Sequence, residues 1–354
     1  MLPFRKKDLP FVGIDISTSA VKLLELSKQG DLFRVESFGV APLLHEGEKN
    51  ESDIDAYGNA VKLVKNRSGT SAKLAAVAVP VSAAITKRLT MPAGLNDHEM
   101  LAQIELEADQ HIPYPLNEVS LDFDVLGNVG NSDDEVNVML AVARTEEVNR
   151  QAEILTLGGF EPKVVDIEIF AIERSFQLLK SQLPNEGEGM TVAVIDIGAT
   201  LTTLYVIQNE EVVYYREQVF GGRQLTEEIQ SRYGISYAEA GRAKKEGGLP
   251  DNYVPEVLTP FVSAMTQQIS RSLNYFYSSG QSGEVNHIIL AGGCASIPGV
   301  LEQIEMETGI SVSIANPFTK MTLAASVSPH TLSIEAPSLL TACGLAMRRY
   351  DGHN

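Results

Sequence analysis

The chain has 354 residues, 44% of them hydrophobic, and its 46 acidic against 28 basic side chains give a formal net charge of −18. That length gives about two or more domains of roughly 100–200 residues with substantial cores. The charge argues against nucleic acid as a main partner, since phosphate backbones are held by clustered Lys and Arg and the run Arg5-Lys6-Lys7 is too short to reverse the balance. Cys294 and Cys343 lack metal-ligand spacing and the six histidines form no ligand-spaced pair, which argues against a disulfide framework, a zinc site and metal catalysis and fits a reducing, cytoplasmic setting. No run approaches the ~18 apolar residues of a membrane span; the best candidate, 191–207, contains Asp196, and the N-terminus has neither a signal-peptide core nor a cleavage site.

In chain order, residues 11–16, 21–27 and 33–40 read as an antiparallel meander, 53–67 as a helix with Ile54, Tyr57, Val61 and Val64 on one face, and 74–79 as a strand buried on both sides. From 84 to 162 the pattern becomes that of an inserted α+β module. Asn96 or Asp97 caps a helix carrying Met100, Leu101, Ile104 and Ala108, which Pro113-Tyr114-Pro115 ends. Strands of strict alternation follow at 119–125 and 136–142, then a helix capped by Thr145 and closed by Gly158-Gly159. A short strand at 164–167 enters a helix running through Leu183, and 184–189 is a polar linker. The meander then restarts at 191–197, 202–207 and 212–219, with a turn at Asn209-Glu210. Helices are expected at 224–232, 237–244 and 254–279, a buried strand at 287–290, a helix opening at Ile297, and a last helix at 338–349.

Four elements carry chemistry. Asp15 ends the first strand and is followed by Ser17, Thr18, Ser19 and Lys22; a carboxylate at the mouth of a hairpin can hold a hydrated Mg²⁺ while turn N–H groups and hydroxyls take phosphate oxygens. The same arrangement returns at Asp196, Gly198, Ala199 and Thr200, where Gly198 is able to take a positive φ and bring the backbone close to a phosphate. Leu290 to Ser296 holds Gly292-Gly293 at the end of a buried strand, where missing side chains let a base or ribose lie against the backbone. Gly221-Gly222 opens a helix and Lys244-Lys245 lies on the next. Each element alone also fits an ordinary turn or solvated helix face; the repetition is what makes accident improbable. No Gly-x4-Gly-Lys-Ser/Thr and no Gly-x-Ser-x-Gly occurs.

These elements, in this order and over nearly the whole chain, resemble the actin-like ATPase superfamily of actin, sugar kinases, Hsp70 chaperones and FtsA. Asp15 to Lys22 matches the first phosphate motif, Asp196 to Thr200 the second and Leu290 to Ser296 the adenosine motif, while Asp166-Ile167-Glu168 and Ala342-Cys343-Gly344-Leu345-Ala346 match the two crossing hinge helices. Within the superfamily the chain is similar to the PilM family of type IV pilus assembly proteins through Gly13 to Ser17, Lys22 to Leu26, Glu107 to Gln110, Ile112 to Leu116 and Phe220 to Thr226.

The resemblance implies an α/β, two-lobed actin-like ATPase (ribonuclease H-like) fold with an inserted α+β subdomain as in FtsA. The first lobe would take 1–83, 163–190 and the returning helix of 326–354, the insert 84–162, and the second lobe 191–325 with a helical subdomain at about 224–280. It implies ATP with Mg²⁺ held by Asp15 and Asp196 through water, and by Ser17, Thr18, Ser19, Lys22, Gly198, Ala199, Thr200, Gly222, Lys244, Gly292 and Gly293. It further implies the cytoplasmic N-terminal tail of PilN as a peptide partner near the junction of first lobe and insert, PilO through PilN, and a place peripheral to the inner membrane in pilus assembly and twitching motility. Contacts with pilus motor or platform proteins and self-association stay open.

Two departures bear on turnover. Ser17 replaces the glycine of the superfamily's Asp-x-Gly, and Ala240-Gly241-Arg242-Ala243-Lys244 lacks the glutamate of Ala-Glu-x-x-Lys, removing a ribose acceptor. The expectation is therefore a nucleotide-binding scaffold with at most slow hydrolysis. The alternatives are an active ATPase, with Asp166 and Glu168 as candidate water-positioning carboxylates, or an FtsA-like filament-forming membrane-associated protein, which would want an amphipathic helix after Arg348-Arg349.

Overall fold

The computed structural model describes residues 10–43, 54–130, 132–281 and 283–351, without the side chains of 108–111; the run Arg5-Lys6-Lys7, Asp53 at the expected helix start and the helix-face side chain of Ala108 lie outside them. The first sheet begins with β1 (Phe11–Ile16), β2 (Ala20–Gln29) and β3 (Leu32–Pro42), followed by α1 (Ile54–Ser68) and β4 (Leu74–Val79). The chain then leaves through β5 (Ala84–Pro92), α2 (Asp97–His111), β6 (Val119–Asn128) and β7 (Glu135–Arg144), and returns through α3 (Thr145–Leu157), β8 (Glu161–Ile167) and α4 (Glu168–Leu179). The second half runs β9 (Thr191–Ile197), β10 (Thr202–Gln208), β11 (Glu211–Gln218), α5 (Gly222–Tyr233), α6 (Tyr237–Glu246), α7 (Thr259–Ser278), β12 (His287–Ala291), α8 (Val300–Thr308) and β13 (Ser311–Ile314). It closes with β14 (Thr322–Leu323), α9 (Pro329–Glu335) and α10 (Leu340–Met347).

Three sheets result, ordered β14-β3-β2-β1-β4-β8, β11-β10-β9-β12-β13 and β5-β7-β6. The first two are one topology laid down twice. β1 pairs antiparallel with β2 and parallel with β4, as β9 does with β10 and β12. Asp15 faces Lys22 across its hairpin as Asp196 faces Thr203, so the halves keep a constant offset of 181 residues, the separation of Asp15 and Asp196. This is the two-lobed actin-like fold.

Helices α4 and α10 lie between the sheets. Ile169, Ile172, Phe176 and Leu179 of α4 join Val192, Val194, Tyr205 and Ile207 of the second sheet in one buried cluster, while Ala171 and Leu345 cluster with Phe11 and Ala76 of the first. The helices touch backbone to backbone, since a Cβ on Gly344 would stand 1.8 Å from the Ala171 carbonyl oxygen, and α10 lies as close on β1, where a Cβ on Gly13 would stand 2.2 Å from the Ala342 carbonyl oxygen. The small residues of α10 thus permit a close crossing. On the outer faces, α1 and α3 cover the first sheet, and α5, α7 and α8 the second.

Several elements differ from expectation. β5 was not anticipated, because Lys87 and Arg88 interrupt its alternation before Leu89 and Met91 return to the core. Asn96 does cap α2, its Oδ1 accepting from His98 and Glu99 N–H at 3.0 and 3.1 Å. Thr145 does not cap α3; it is the first helical residue, and its hydroxyl meets Ser120 at 3.2 Å. Ile154 and Leu155 of that helix pack on the first sheet, whereas the three-stranded sheet and α2 have their own core of Leu89, Met91, Met100, Ile104, Val138 and Leu140. The helix expected from Ile297 starts at Val300, since Gly299 takes a left-handed φ of +84°. The last helix is shorter than expected because Pro337 holds residues 336–339 in a 3₁₀ turn, and β13, β14 and α9 are too short to show a period.

Candidate functional site

The two Asp-led turns face each other. At the first, the Lys22 ammonium donates to Asp15 Oδ2 at 2.8 Å, the Ser17 N–H donates to the Ala20 carbonyl at 3.0 Å, and the Ser17 hydroxyl donates to the same oxygen at 2.8 Å. At the second, Gly198 N–H donates to the Leu201 carbonyl at 2.9 Å, the corresponding bond. Gly198 does not use the positive φ open to a glycine, and Ser17 does not take one either. Both turns close by the same i to i+3 bond in ordinary backbone, so serine in the first imposes no strain. The Thr18 and Thr200 hydroxyls meet at 2.9 Å and join the turns directly, while Ser19 sits exposed at the rim.

Glycines close around the second turn. Gly222 N–H donates to the Gly198 carbonyl at 3.0 Å and Arg223 N–H to that of Ala199 at 2.8 Å, which seats the start of α5 on the turn. A Cβ on Gly221 would lie 2.5 Å from Ala199 O, and one on Gly222 would lie 2.4 Å from Cys294 Sγ. Gly292 does take a left-handed φ, +86°, and a Cβ there would lie 2.4 Å from Asp196 Oδ1; one on Gly293 would meet nothing within 4 Å. The open side of Gly293 is room for a flat group. Lys244 folds back, its ammonium donating to Gly222 O at 3.0 Å and Thr226 Oγ1 at 2.9 Å. Burial holds its pKa below the usual lysine value, against the pull of Cys294.

The floor between the turns gathers Asp15, Lys22, Glu168, Asp196 and Tyr205. Protein surrounds them on most sides, yet the Lys22 and Asp15 side chains keep 15% and 16% of their surface exposed. Burial pushes Asp196 up to about 6, with Lys22 opposing and Asp15 adding to the rise. Burial and the charges of Asp15 and Asp196 push Glu168 up to about 8. Burial disfavours the Lys22 ammonium, but Asp15, Asp196 and Glu168 together outweigh it and hold its pKa above the ordinary value. Three carboxyl groups thus share one cation, a site short of positive charge.

Asp166 is elsewhere. It pairs with Arg174 and, at 3.5 Å, Arg348, and both arginines reach Asp351, at 2.7 and 3.2 Å. Tyr205 and Cys294 were missed at the level of sequence. β10 is buried on both faces and offers no polar alternation to single out Tyr205, and a lone cysteine after two glycines carries no signal until Gly222 is seen against it.

The donor set fits a phosphorylated ligand carrying a hydrated cation better than a bare metal. No group of three or more His, Cys, Asp and Glu side chains among the described residues is close enough to hold a metal directly. Mg²⁺ keeps most of its water and needs only one or two carboxylates beside phosphate oxygens, and Asp15 and Asp196 stand at the two turns, each near the end of its strand. No helix among the described residues is long and apolar enough to cross a membrane.

Comparison with known proteins bears on the fold and the family. The family described as "Type IV pilus assembly protein PilM" matches residues 13–350. The solved PilM-PilN type IV pilus biogenesis complex includes a chain that is 25% identical, with a TM-score of 0.75 over 95% of this chain and 97% of that one. The cell division protein FtsA of Streptococcus pneumoniae is 23% identical over 361 residues, covering 87% of this chain and 75% of FtsA. The ethanolamine utilization protein EutJ from Carboxydothermus hydrogenoformans, 17% identical with a TM-score of 0.54 over 95% of this chain and 88% of its own, shares the fold. A match that spans both sheets, the insert and both crossing helices places the chain in the PilM family of type IV pilus assembly proteins.

Proposed function

We propose that this chain is a nucleotide-dependent scaffold on the cytoplasmic face of the inner membrane, binding the N-terminal cytoplasmic tail of PilN, and PilO through it, in pilus assembly and twitching motility. Its lobes would be 1–83 with 163–190 and 326–354, and 191–325; residues 84–162 would form the insert, whose own core spans Leu89 to Val142. The tail would dock near the junction of first lobe and insert, where an extended peptide can use sheet edges and apolar pockets.

One observation supports the reading above the others: the 2.9 Å Thr18–Thr200 bond sets two equivalent Asp-led turns, one from each half, against each other. ATP is the nucleotide that the family reading implies; when bound with Mg²⁺ it would supply phosphate charge between the jaws and the cation that the floor lacks. The Ser17, Thr18, Ser19, Gly198, Ala199 and Thr200 turns would hold its phosphates, Gly222 and Gly292-Gly293 would leave room for the nucleoside, and Lys22 and Lys244 would add positive charge. Asp15 and Asp196 would meet Mg²⁺ through water. Because the turns belong to different halves, whatever draws them together sets the angle between lobes and so the shape of the junction. Linkage then requires the peptide to change nucleotide affinity by the factor by which nucleotide changes peptide affinity.

Calorimetry of a synthetic PilN tail peptide, with and without Mg-ATP, tests this. A shift in both affinities by one factor is expected; identical peptide binding in both conditions removes the coupling, and no heat with Mg-ATP alone removes the nucleotide. A second reading, slow hydrolysis, is favoured by Glu168 lying in the floor while Asp166 is bound to arginines. A turnover rate equal in the wild-type chain and Glu168→Gln would sink it.

A further inference from the structure

Among the described residues Tyr205 is one of the largest side chains with no exposed surface, and its hydroxyl makes no well-formed hydrogen bond to any of them. A buried hydroxyl without a partner is rare, because desolvating it brings no return. This one is not surrounded by hydrocarbon alone. Glu168, Asp196 and Glu217 all act on it, and the hydroxyl lies near enough to Glu168 to favour the charged carboxylate, although the contact falls short of hydrogen-bond geometry. Burial keeps the phenol protonated, well above the ordinary tyrosine range, so it is a donor at any physiological pH.

Its place in the fold makes the near-contact informative. Tyr205 stands on β10 in the second half, directly across from Val194 of β9, and two residues beyond Thr203, which faces Asp196. Glu168 opens α4, which follows β8 of the first sheet. Donor and acceptor thus belong to opposite halves at the floor of the cleft, just short of bonding.

We propose that Tyr205 is a positioning residue: when the halves close, its hydroxyl completes a hydrogen bond to the Glu168 carboxylate, fixing that group toward the phosphate turns and latching one half to the other. The inference rests on the reading of the cleft as a nucleotide site. It assigns Tyr205 no contact with the nucleotide.

Tyr205→Phe is the test, since it deletes the hydroxyl and keeps the ring. Two readouts separate a latch from a packing residue. The urea midpoint without ligand should be unchanged or raised, because the lost hydroxyl has no bond in the resting protein. Mg-ADP and Mg-ATP affinity, by calorimetry, should fall about tenfold, the size of one hydrogen bond to a charged group made only in the closed form. In a Glu168→Ala background Tyr205→Phe should cost no further affinity, as coupled residues require. Unchanged affinity in Tyr205→Phe beside a wild-type chain that binds overturns the latch alone. So does a lowered ligand-free midpoint or a failure to fold, either of which means that the bond already exists at rest. A wild-type chain that binds neither nucleotide overturns the nucleotide reading and the latch together.

Discussion

Replacing Gly292 by alanine should destabilise the protein and disorder the second jaw, whereas the same change at Gly293 should do neither. At Gly292 the backbone φ of +86° places an L residue in the left-handed region, at about 1–2 kcal/mol. The added methyl would lie 2.4 Å from both Asp196 Oδ1 and the Ile197 carbonyl, 1.0 Å inside the 3.4 Å where ordinary contact begins. The carboxylate can swing aside, but the Ile197 carbonyl is fixed by the turn, and forcing such a contact costs about 1–3 kcal/mol more. The expected loss is therefore about 2–5 kcal/mol, with Asp196 displaced and nucleotide affinity reduced at least tenfold. Gly293, whose Cβ would meet nothing within 4 Å, should change stability by less than about 1 kcal/mol as alanine while still weakening any nucleoside laid against it. Urea titrations of both variants, fitted with a common slope, decide the matter. Gly292→Ala within about 0.5 kcal/mol of the parent, or equal losses for the two variants, would refute the reasoning.

Acidity supplies a second prediction. Glu168 holds its proton up to about pH 8 when folded but loses it near 4.5 when unfolded, so the native state binds the extra proton between those values. Stability without ligand should fall as pH rises across that window, and Asp196, raised from 3.8 to about 6, adds a fall at its lower end. The wild-type urea midpoint should drop from pH 5.5 to 8 more steeply than that of Glu168→Gln; parallel curves would contradict the placement of Glu168. Ser17→Gly should lower stability by about 1 kcal/mol, by losing the 2.8 Å bond to Ala20 and loosening the unfolded chain, without improving nucleotide affinity. A gain in affinity would mean that the turn does need a glycine. Arg174→Ala strands Asp166, whose side chain is only 8% exposed; with Arg348 still near, thermal or urea unfolding should show a loss of about 2–3 kcal/mol, below the roughly 3–5 of a wholly orphaned buried charge.

Much of the fold was legible because it is written twice. The apolar run ending in aspartate, the hydroxylic turn and the following strands recur, and the hairpin registers confirm that the recurrence is structural. What could not be read follows a common cause: periodicity reports that a face is buried, not what buries it. Ile154 and Leu155 mark an amphipathic helix equally well on the insert or on the first sheet, and only the tertiary packing puts α3 on the latter. Likewise the Asp166-Ile167-Glu168 triplet offers two carboxylates across a strand-to-helix junction, and nothing local says that arginines from α4 and the C-terminal segment claim Asp166 and leave Glu168 for the floor between the turns. Gly198 shows a different limit. Glycine at a turn permits a positive φ without requiring one, and here the need for a small residue is steric and falls most heavily on Gly221, Gly222 and Gly292, which crowd the turn from outside.

The two jaws therefore differ, though not in the residue that first marks them as different. Serine and glycine close equivalent turns by equivalent bonds. The asymmetry lies across the hairpin, where Asp15 faces Lys22 and Asp196 faces Thr203. The first half carries its own counter-ion at 2.8 Å; the second offers a hydroxyl, and its aspartate is left with a raised pKa. Two copies of one hairpin have thus diverged into a charge-balanced jaw and a charge-deficient one. Such a cleft favours a ligand that brings its own cation to one side, and Glu168 and Tyr205, from opposite halves, lie where that charge would be felt. On the proposed reading, a nucleotide held this way would report its presence through the geometry of the halves, which is the property a scaffold needs and rapid hydrolysis does not.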